Sequence, residues 1–285
     1  MRDMAATNDI TTAPRNRFRR LLRLRPWVQT AFLGVWLAPV GRWLHSVPAC
    51  VFHCYACPLS SMACPVGVVA NFAAWGAFPL LVVGMLLFVA AMVGSLVCGW
   101  ACPFGFLQDL AGRIPVRKFR IPNWLGYGRY MVLIGLVVLV PYLWGENHPL
   151  FICRVCPAGG LEAGIPRTIM GMTVPGHPQV WLSGTKAVIL VAFLAAVVFT
   201  YRPWCKVFCP LGGFLALFNR VSLFHIRFSS TDCTECNTCR SRCMMGVKVD
   251  KAVNTPGCVR CLECVSCGAF KPALGAQKKP ARRSA

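Results

Sequence analysis

Charged residues, and acidic residues above all, are scarce in this sequence. Only 14% of the 285 residues are charged, and nine Asp and Glu stand against 30 Lys and Arg. Soluble globular proteins contain nearly twice that share of charged residues, so the scarcity argues against that class. The sequence also lacks a GxGxxG pattern, since Gly212-Gly213 does not extend into one, which argues against a dinucleotide site. The mean hydropathy of +0.56 instead favours contact with lipid.

Apolar stretches that suggest membrane crossing occur four times. They are Trp27–Leu44, Phe72–Cys98, Tyr127–Trp144 and Lys186–Tyr201. A helix needs about 20 apolar residues to cross about 30 Å of hydrocarbon, and only the second stretch exceeds that length. The others carry basic residues at their ends, namely Arg25, Arg42, Arg129, Lys186 and Arg202, which we expect to reach out to the interface. We therefore predict four transmembrane helices.

The basic residues predict the orientation of these helices. Seven Lys and Arg precede the first stretch and five lie between the second and third, whereas the other two loops hold one and two. Basic loops stay on the cytoplasmic side, so both termini are predicted to be cytoplasmic in a multi-pass protein of a bacterial inner membrane. This topology accounts for the net charge of +21 without a nucleic-acid partner. A cleaved signal peptide is the alternative for the first stretch, although the stretch is long for one.

Two cysteine runs follow the last apolar stretch. They are Cys233, Cys236, Cys239 and Cys243, and then Cys258, Cys261, Cys264 and Cys267. Two-residue spacing lets three thiolates of one loop reach three irons of a cubane, and a distant cysteine completes the set. In two-cluster ferredoxins the fourth ligand comes from the other run, so Cys267 would complete the first set and Cys243 the second. A zinc ribbon is the alternative, but it would leave half of these cysteines unused.

Cysteine pairs also recur in the membrane part. The pairs are Cys54 and Cys57, Cys98 and Cys102, Cys153 and Cys156, and Cys205 and Cys209, and each second cysteine precedes a proline. This order indicates two copies of a helix–CxxCP–helix–CxxxCP unit. Proline after each second cysteine predicts a helix start there.

Pairing of the two copies would gather these cysteines into two sets. Cys54, Cys57, Cys153 and Cys156, here called the outer set, would lie on the outer side. Cys98, Cys102, Cys205 and Cys209, the inner set, would lie near the C-terminal runs. Four converging thiolates suit a metal or cluster site. Disulfides remain the alternative outside, and exchanging thiols the alternative inside. Cys50 and Cys64 stay unassigned, although Cys64-Pro65 shares the Cys-Pro pattern and would be able to replace an outer ligand.

Together these motifs resemble the NapH/MauN-type membrane ferredoxins, also called polyferredoxin-like proteins. The residues that carry the resemblance are the segments 98–109 and 202–212 with their CxxxCP motifs, followed by the two cysteine runs. The resemblance covers the chain from about Arg25 onward. It implies electron transfer in the bacterial cytoplasmic membrane, either as a quinol dehydrogenase component that supplies a periplasmic reductase or in methylamine utilisation.

The predicted protein is α-helical, with four transmembrane helices as two tandem helix-pair repeats and a small bacterial-type 2[4Fe-4S] ferredoxin domain of α+β type. Its parts would be a basic cytoplasmic segment (1–26), the membrane domain (27–220), the ferredoxin domain (221–270) and a basic tail (271–285). Two [4Fe-4S] clusters, with further clusters or metal at the membrane cysteines, would relay electrons between a quinol or cytoplasmic donor and a protein redox partner. The chain would be an electron-transfer component and not a stand-alone enzyme. The alternatives are a thiol–disulfide carrier for maturation of a periplasmic protein and a copper-handling metalloreductase.

Overall fold

The structure, a computed structural model, describes residues 12–37, 48–54, 56–57, 62–173, 183–234, 236–275 and 277. The side chains of residues 12–21, 37, 251 and 252 are not described. Part of the predicted first membrane helix (38–44) and most of the predicted basic tail therefore lie outside the described residues.

Helices dominate the described part of the chain, as the sequence predicts. In chain order they are Thr12–Leu37, Pro65–Ala74, Leu80–Val93, Leu96–Trp100, Pro103–Gly112, Trp124–Trp144, Ile152–Val155, Gly159–Gly164, Ile165–Thr173, Gly184–Phe199, Trp204–Phe208, Pro210–Leu217, Phe218–Arg220, Thr238–Arg242, Val249–Ala252 and Glu263–Cys267. Two strands, β1 (Phe224–Phe228) and β2 (Phe270–Leu274), pair in antiparallel register with Ile226 opposite Pro272. These strands enclose the two cysteine runs between them.

One described helix, Trp124–Trp144, is long and apolar enough to cross a membrane. It contains the predicted third span, and its middle residues Val132–Leu139 are π-helical. The helix Gly184–Phe199 corresponds to the predicted fourth span but has only 16 residues. Four membrane-crossing helices are therefore not confirmed.

The predicted second span is wrong as a single helix. Within Phe72–Cys98, one helix ends at Ala74, a second covers Leu80–Val93, and a short third begins at Leu96. Gly76 and Gly94 adopt positive φ values of 67° and 55°, which interrupt the helical path at these two points. The absence of charge in this stretch is compatible with membrane depth but gives no information on helix continuity.

Three helices begin with a Cys-Pro pair; the starts after Cys102 and Cys209 match the prediction, and the start after Cys64 is additional. Pro157, after Cys156, is also helical as predicted, whereas the start predicted after Cys57 lies outside the described residues. Cys64, Cys102 and Cys209 are N-cap residues with extended backbones, and a proline follows each as the first helical residue. Proline fits there because its missing N–H would have no helical partner anyway. The helix starts consequently place three thiols beside the positive ends of helices.

Besides a small cluster of Met245, Val247 and Val259, two buried cores hold the described residues together. The larger one belongs to the membrane part and includes a cluster of rings from Phe52, Phe104, Phe193 and Trp204, with Phe104 and Phe193 stacked at 4.9 Å. The smaller core belongs to the C-terminal part and includes two cysteines of the runs, Cys239 and Cys264. So small a core has little apolar surface to bury, which makes its stability dependent on other bonds.

Candidate metal centres

The C-terminal runs fold into two separate groups of four cysteines. The first group contains Cys233, Cys236, Cys239 and Cys267, and the second contains Cys243, Cys258, Cys261 and Cys264. In the first group, the Sγ atoms of Cys236 and Cys267 are 4.0 Å apart. In the second, Cys243 lies within electrostatic range of each of the other three thiols. The groups coincide with the two predicted ligand sets, whose role as ligands stays a prediction.

The two groups differ in their exposure to solvent. Burial raises the pKa of the Cys258 thiol to about 12, because a thiolate loses hydration there. At exposed Cys236, hydrogen bonds led by the Thr238 hydroxyl lower the thiol pKa to about 6. Metal ligation requires the thiolate, so the buried group needs the positive charge of a metal more than the exposed group does.

Buried polar side chains fix the second group against the membrane part. Arg260, fully buried, donates through Nη1 to the carbonyl of Val93 at 3.0 Å and through Nη2 to the carbonyl of Asn219. The amide of Asn219 and the hydroxyl of Ser95 both donate to the carbonyl of Cys258, at 2.7 Å each. The Cys258 loop is thereby held on the helices from both sides.

The inner set converges from two helix starts that are distant in sequence. Cys98, Cys102, Cys205 and Cys209 are all buried, and each lies within electrostatic range of others in the set. They line one small cavity. The side-chain amide of Gln108 donates to Cys205 Sγ at 3.2 Å, and the backbone N–H of Gly212 donates to Cys209 Sγ at 3.3 Å. The predicted convergence of these four residues is thus present in the geometry.

An arginine on the long helix lines the same cavity. Arg129 is 4% exposed, and its Nη2 donates to the carbonyl of Pro256 at 2.8 Å and to the Tyr130 hydroxyl. Its Nε is buried without a hydrogen-bond partner, and among the described side chains no carboxylate pairs with it. A buried guanidinium needs a counter-charge, and a cluster held by four thiolates is anionic. The charge beside the cavity therefore suits an anionic metal cluster.

The loop that carries Cys98 and Cys102 of the inner set packs against the loop that carries Cys258 and Cys261 of the second group. A Cβ atom built on Gly99 would lie 2.7 Å from the carbonyl oxygen of Val259 and 3.3 Å from Cys261 Cα. No side chain fits at Gly99 without displacement of that backbone. Glycine thus permits the closest approach between the Cys98–Cys102 loop and the Cys258–Cys264 loop.

A buried charge network joins the same two regions. Arg202 donates to both oxygens of Asp109 and to the carbonyl of Cys98, and Arg25 connects Asp109 with Glu263. Burial would raise the pKa of Asp109, but the charge and hydrogen bonds of Arg202, together with Arg25, outweigh it and lower that pKa. The expectation that Arg25, Arg129 and Arg202 reach the interface is wrong, since they are 4%, 4% and 1% exposed. Hydrogen-bond partners from distant parts of the sequence keep these arginines buried: Asp109 for Arg25 and Arg202, and the carbonyl of Pro256 for Arg129. The sequence of a single apolar stretch gives no sign of such partners.

The outer set gains a member that the pairwise pattern did not select. Cys54, Cys153 and Cys156 lie within electrostatic range of one another, and Cys64 lies within range of all three. Cys57 is buried, and its backbone N–H donates to the carbonyl of Cys54 at 3.2 Å.

The inner and outer sets lie close together in the fold. Cys102 Sγ is 3.8 Å from the carbonyl of Phe52, and Cys50 lines the inner cavity. Cys54 is four positions after Cys50, so their Cα atoms are at most about 14 Å apart even in an extended chain. The expected separation onto two membrane faces is therefore not what the geometry gives, because the segment 48–54 folds back against the inner set.

An apolar cavity lies beside the outer set. Its lining includes Leu33, Trp36, Cys54, Cys57, Phe104 and Glu162. The carboxylate of Glu162 accepts the backbone N–H of Cys54 at 2.6 Å, which joins an acidic group to a cysteine of the set. His53 also lines this cavity. Among the described residues, no three His, Cys, Asp or Glu side chains are placed to hold a single metal ion.

Comparison with protein families identifies the two membrane segments that carry the CxxxCP motifs. A family described as a 4Fe-4S binding domain matches residues 75–122 and 185–229. The matched residues include the whole inner set and none of the C-terminal runs. Each match covers the CxxxCP half of one predicted copy of the repeat and leaves its CxxCP pair outside.

Similar proteins extend the match beyond these two segments. The chain is 29% identical to the uncharacterized protein MJ0750 of Methanocaldococcus jannaschii, over 70% of this chain and 80% of that protein. It is 25% identical to the ferredoxin-type protein NapH of Haemophilus influenzae, over 65% and 61% of the two chains. It is 28% identical to the methylamine utilization ferredoxin-type protein MauN of Methylorubrum extorquens, over 56% and 50%. The predicted resemblance is confirmed. No solved structure matches the chain.

Proposed function

We propose that this chain, a relative of the NapH- and MauN-type ferredoxin proteins with two 4Fe-4S binding segments, relays electrons at the bacterial cytoplasmic membrane. The relay would run between a hydroquinone or a cytoplasmic donor and a protein redox partner. The two C-terminal groups and the inner set would each hold a [4Fe-4S] cluster, with the cysteine sets described above as ligands. Such a cluster, when bound, supplies one-electron transfer.

The observation that supports an inner cluster best is the buried guanidinium of Arg129 beside four thiols. Two disulfides in that cavity would be neutral and would leave the arginine without a counter-charge, which is costly away from water. An anionic cluster would supply that charge. Gln108 and Gly212 would donate hydrogen bonds to ligand sulfurs and so adjust the potential of the site.

The order of the relay follows from contacts between the sets. The first C-terminal group is the more exposed and suits a protein partner or donor. The second group borders the inner set at Gly99, and the inner set borders the segment that contains Cys54. Short distances between successive sites suit electron transfer in either direction.

The apolar cavity beside Cys54 would accept the hydroquinone. Its walls of Leu33, Trp36 and Phe104 suit an apolar ring, and Glu162 offers one acceptor for a proton. Oxidation of a hydroquinone releases two electrons and two protons, so a base at the cavity wall is needed. The hydrogen bond from the Cys54 N–H would orient the Glu162 carboxylate toward this role.

Anaerobic reduction by a short-chain hydroquinone tests this assignment. Purified full-length protein in lipid vesicles should lose visible iron–sulfur absorbance on mixing, and Glu162→Gln should slow the initial rate at least tenfold. Glu146→Gln, in an exposed loop, is the matched control. If dithionite reduced the protein and a hydroquinone did not, the proposed electron relay would still stand, but the hydroquinone would be excluded as its donor.

A further inference from the structure

We propose that Cys54, Cys64, Cys153 and Cys156 bind an additional iron–sulfur cluster, with Cys64 and not Cys57 as the fourth ligand. This site lies outside both segments of the 4Fe-4S binding family, because those segments cover residues 75–122 and 185–229. The inference rests on the proposed relay and adds one site to it, between the inner set and the apolar cavity.

Three chain segments bring these cysteines together. Pro48 and Ala63 form a parallel bridge, and the Ala49 N–H donates to the Ala63 carbonyl at 2.9 Å. This pairing anchors Cys64 next to the strand-like segment that leads to Cys54. The segment therefore enters the site in a fixed position relative to Cys64.

The third segment closes the site from the opposite side. A Cβ atom built on Gly159 would lie 3.5 Å from the carbonyl oxygen of Cys153 and 3.8 Å from Cys54 Sγ. Gly159 therefore lies next to both the carbonyl of Cys153, on the short helix Ile152–Val155, and the sulfur of Cys54. Cys156 lies within electrostatic range of Cys54, Cys64 and Cys153. All four thiols thus surround one region.

Two positive groups border this region opposite the carboxylate of Glu162, which accepts the Cys54 N–H. Cys64 caps the N-terminus of the ten-residue helix Pro65–Ala74, whose positive end faces the site. Lys186 lies within electrostatic range of both Cys54 and Cys153. In a cubane each cysteine binds its own iron, so four thiols need not converge on one ion. This arrangement suits a cluster better than a single metal ion.

Cys57 provides a control within the same motif. Its side chain lines the apolar cavity, as does Cys54, and the two thiols lie within electrostatic range of each other. Cys64 lies within electrostatic range of Cys54, Cys153 and Cys156. A comparison of Cys57 with Cys64 therefore tests whether the sequence motif or the position in the fold decides which cysteine is a ligand.

Iron and labile-sulfide content of anaerobically purified full-length protein tests the inference. With four clusters, the wild type should contain about 16 irons per chain, and Cys64→Ser should contain about 12. Cys57→Ser should keep the wild-type content. The reverse pattern, with iron lost in Cys57→Ser and retained in Cys64→Ser, would overturn the assignment of Cys64.

A second measurement does not depend on the folding of a variant. Wild-type protein denatured anaerobically with an alkylating reagent, before any reductant, should show all four outer cysteines as free thiols. A Cys54–Cys57 or Cys153–Cys156 disulfide would refute the outer cluster and favour a thiol–disulfide carrier. A wild-type content of about 12 irons would also refute it while leaving the proposed relay intact. A content of about eight would remove the inner cluster as well.

Discussion

The C-terminal part and the membrane part use the same residue in different ways. In the C-terminal part, eight cysteines lie within residues 233–267, and their spacing alone suggests which residues group. In the membrane part, Cys98 and Cys205 belong to one set although 107 residues separate them in the sequence (205 − 98 = 107). Local spacing therefore predicts the cysteines of one ligand loop directly. The cysteines of the inner set can be grouped from the sequence only after the two copies of the repeat have been aligned.

The charges in the two parts differ as well. In the C-terminal part, the ion pairs Arg240–Asp250 and Lys271–Asp232 are partly or largely exposed, and such pairs contribute little. In the membrane part, Arg25, Arg129 and Arg202 are buried, and Arg260 of the C-terminal part is buried only where it bonds to the membrane part at Val93 and Asn219. Buried charges act strongly on nearby groups because little water screens them. The environment of the membrane cysteines is therefore set by a few specific arginines.

The largest expected effect is loss of the C-terminal fold when one of its ligands is removed. Cys264→Ser removes a ligand from the core that also contains Ile226 and Phe270, and this small core has little else to stabilise it. Iron content should fall by about eight atoms per chain, and limited proteolysis should cut after residue 221. Cys50→Ser is the control, since Cys50 belongs to none of the proposed ligand sets. Loss of only four irons, with the segment still resistant, would show that the two groups fold independently.

An intermediate effect is expected where the two parts meet. Gly99→Ala places a methyl group 2.7 Å from the Val259 carbonyl, and relief of that clash should cost about 1–3 kcal/mol of unfolding free energy. The shift should appear in thermal unfolding of the holo-protein, together with slower electron transfer between the C-terminal and inner clusters. Gly84→Ala is the matched control, because a Cβ atom there meets nothing within 4 Å. Equal behaviour of the two variants would contradict the close approach.

The smallest effect concerns the potential of the inner site. The buried positive charge of Arg129 stabilises the reduced state of the cluster, which is the more negative one. Arg129→Gln removes that charge. The midpoint potential of one cluster should therefore fall by on the order of 60 mV, a tenfold change for a one-electron couple. Arg129→Lys keeps the charge and should shift the potential less. A redox titration followed by EPR distinguishes them, and equal potentials in all three proteins would separate Arg129 from the inner site.

The helical class and the helix starts after Cys102 and Cys209 followed from the sequence, which also offered Cys64 as a replacement for an outer ligand. Helix continuity in 72–98 did not follow, because hydropathy does not register the turns at Gly76 and Gly94. The contacts of Arg129 and Gln108 did not follow either, since they come from residues far along the chain. A single basic residue, Arg129, within an otherwise uncharged apolar stretch is the signal that would have pointed to it.

The central claim is that inorganic clusters, and not zinc or disulfides, occupy the cysteine sets. Anaerobic iron and sulfide analysis combined with EPR of the wild type and of Cys205→Ser tests it most directly. We expect the wild type to contain equal iron and labile sulfide, and Cys205→Ser to lack about four irons while it keeps the signals of the C-terminal clusters. Colourless protein that contains stoichiometric zinc and no sulfide would contradict the claim.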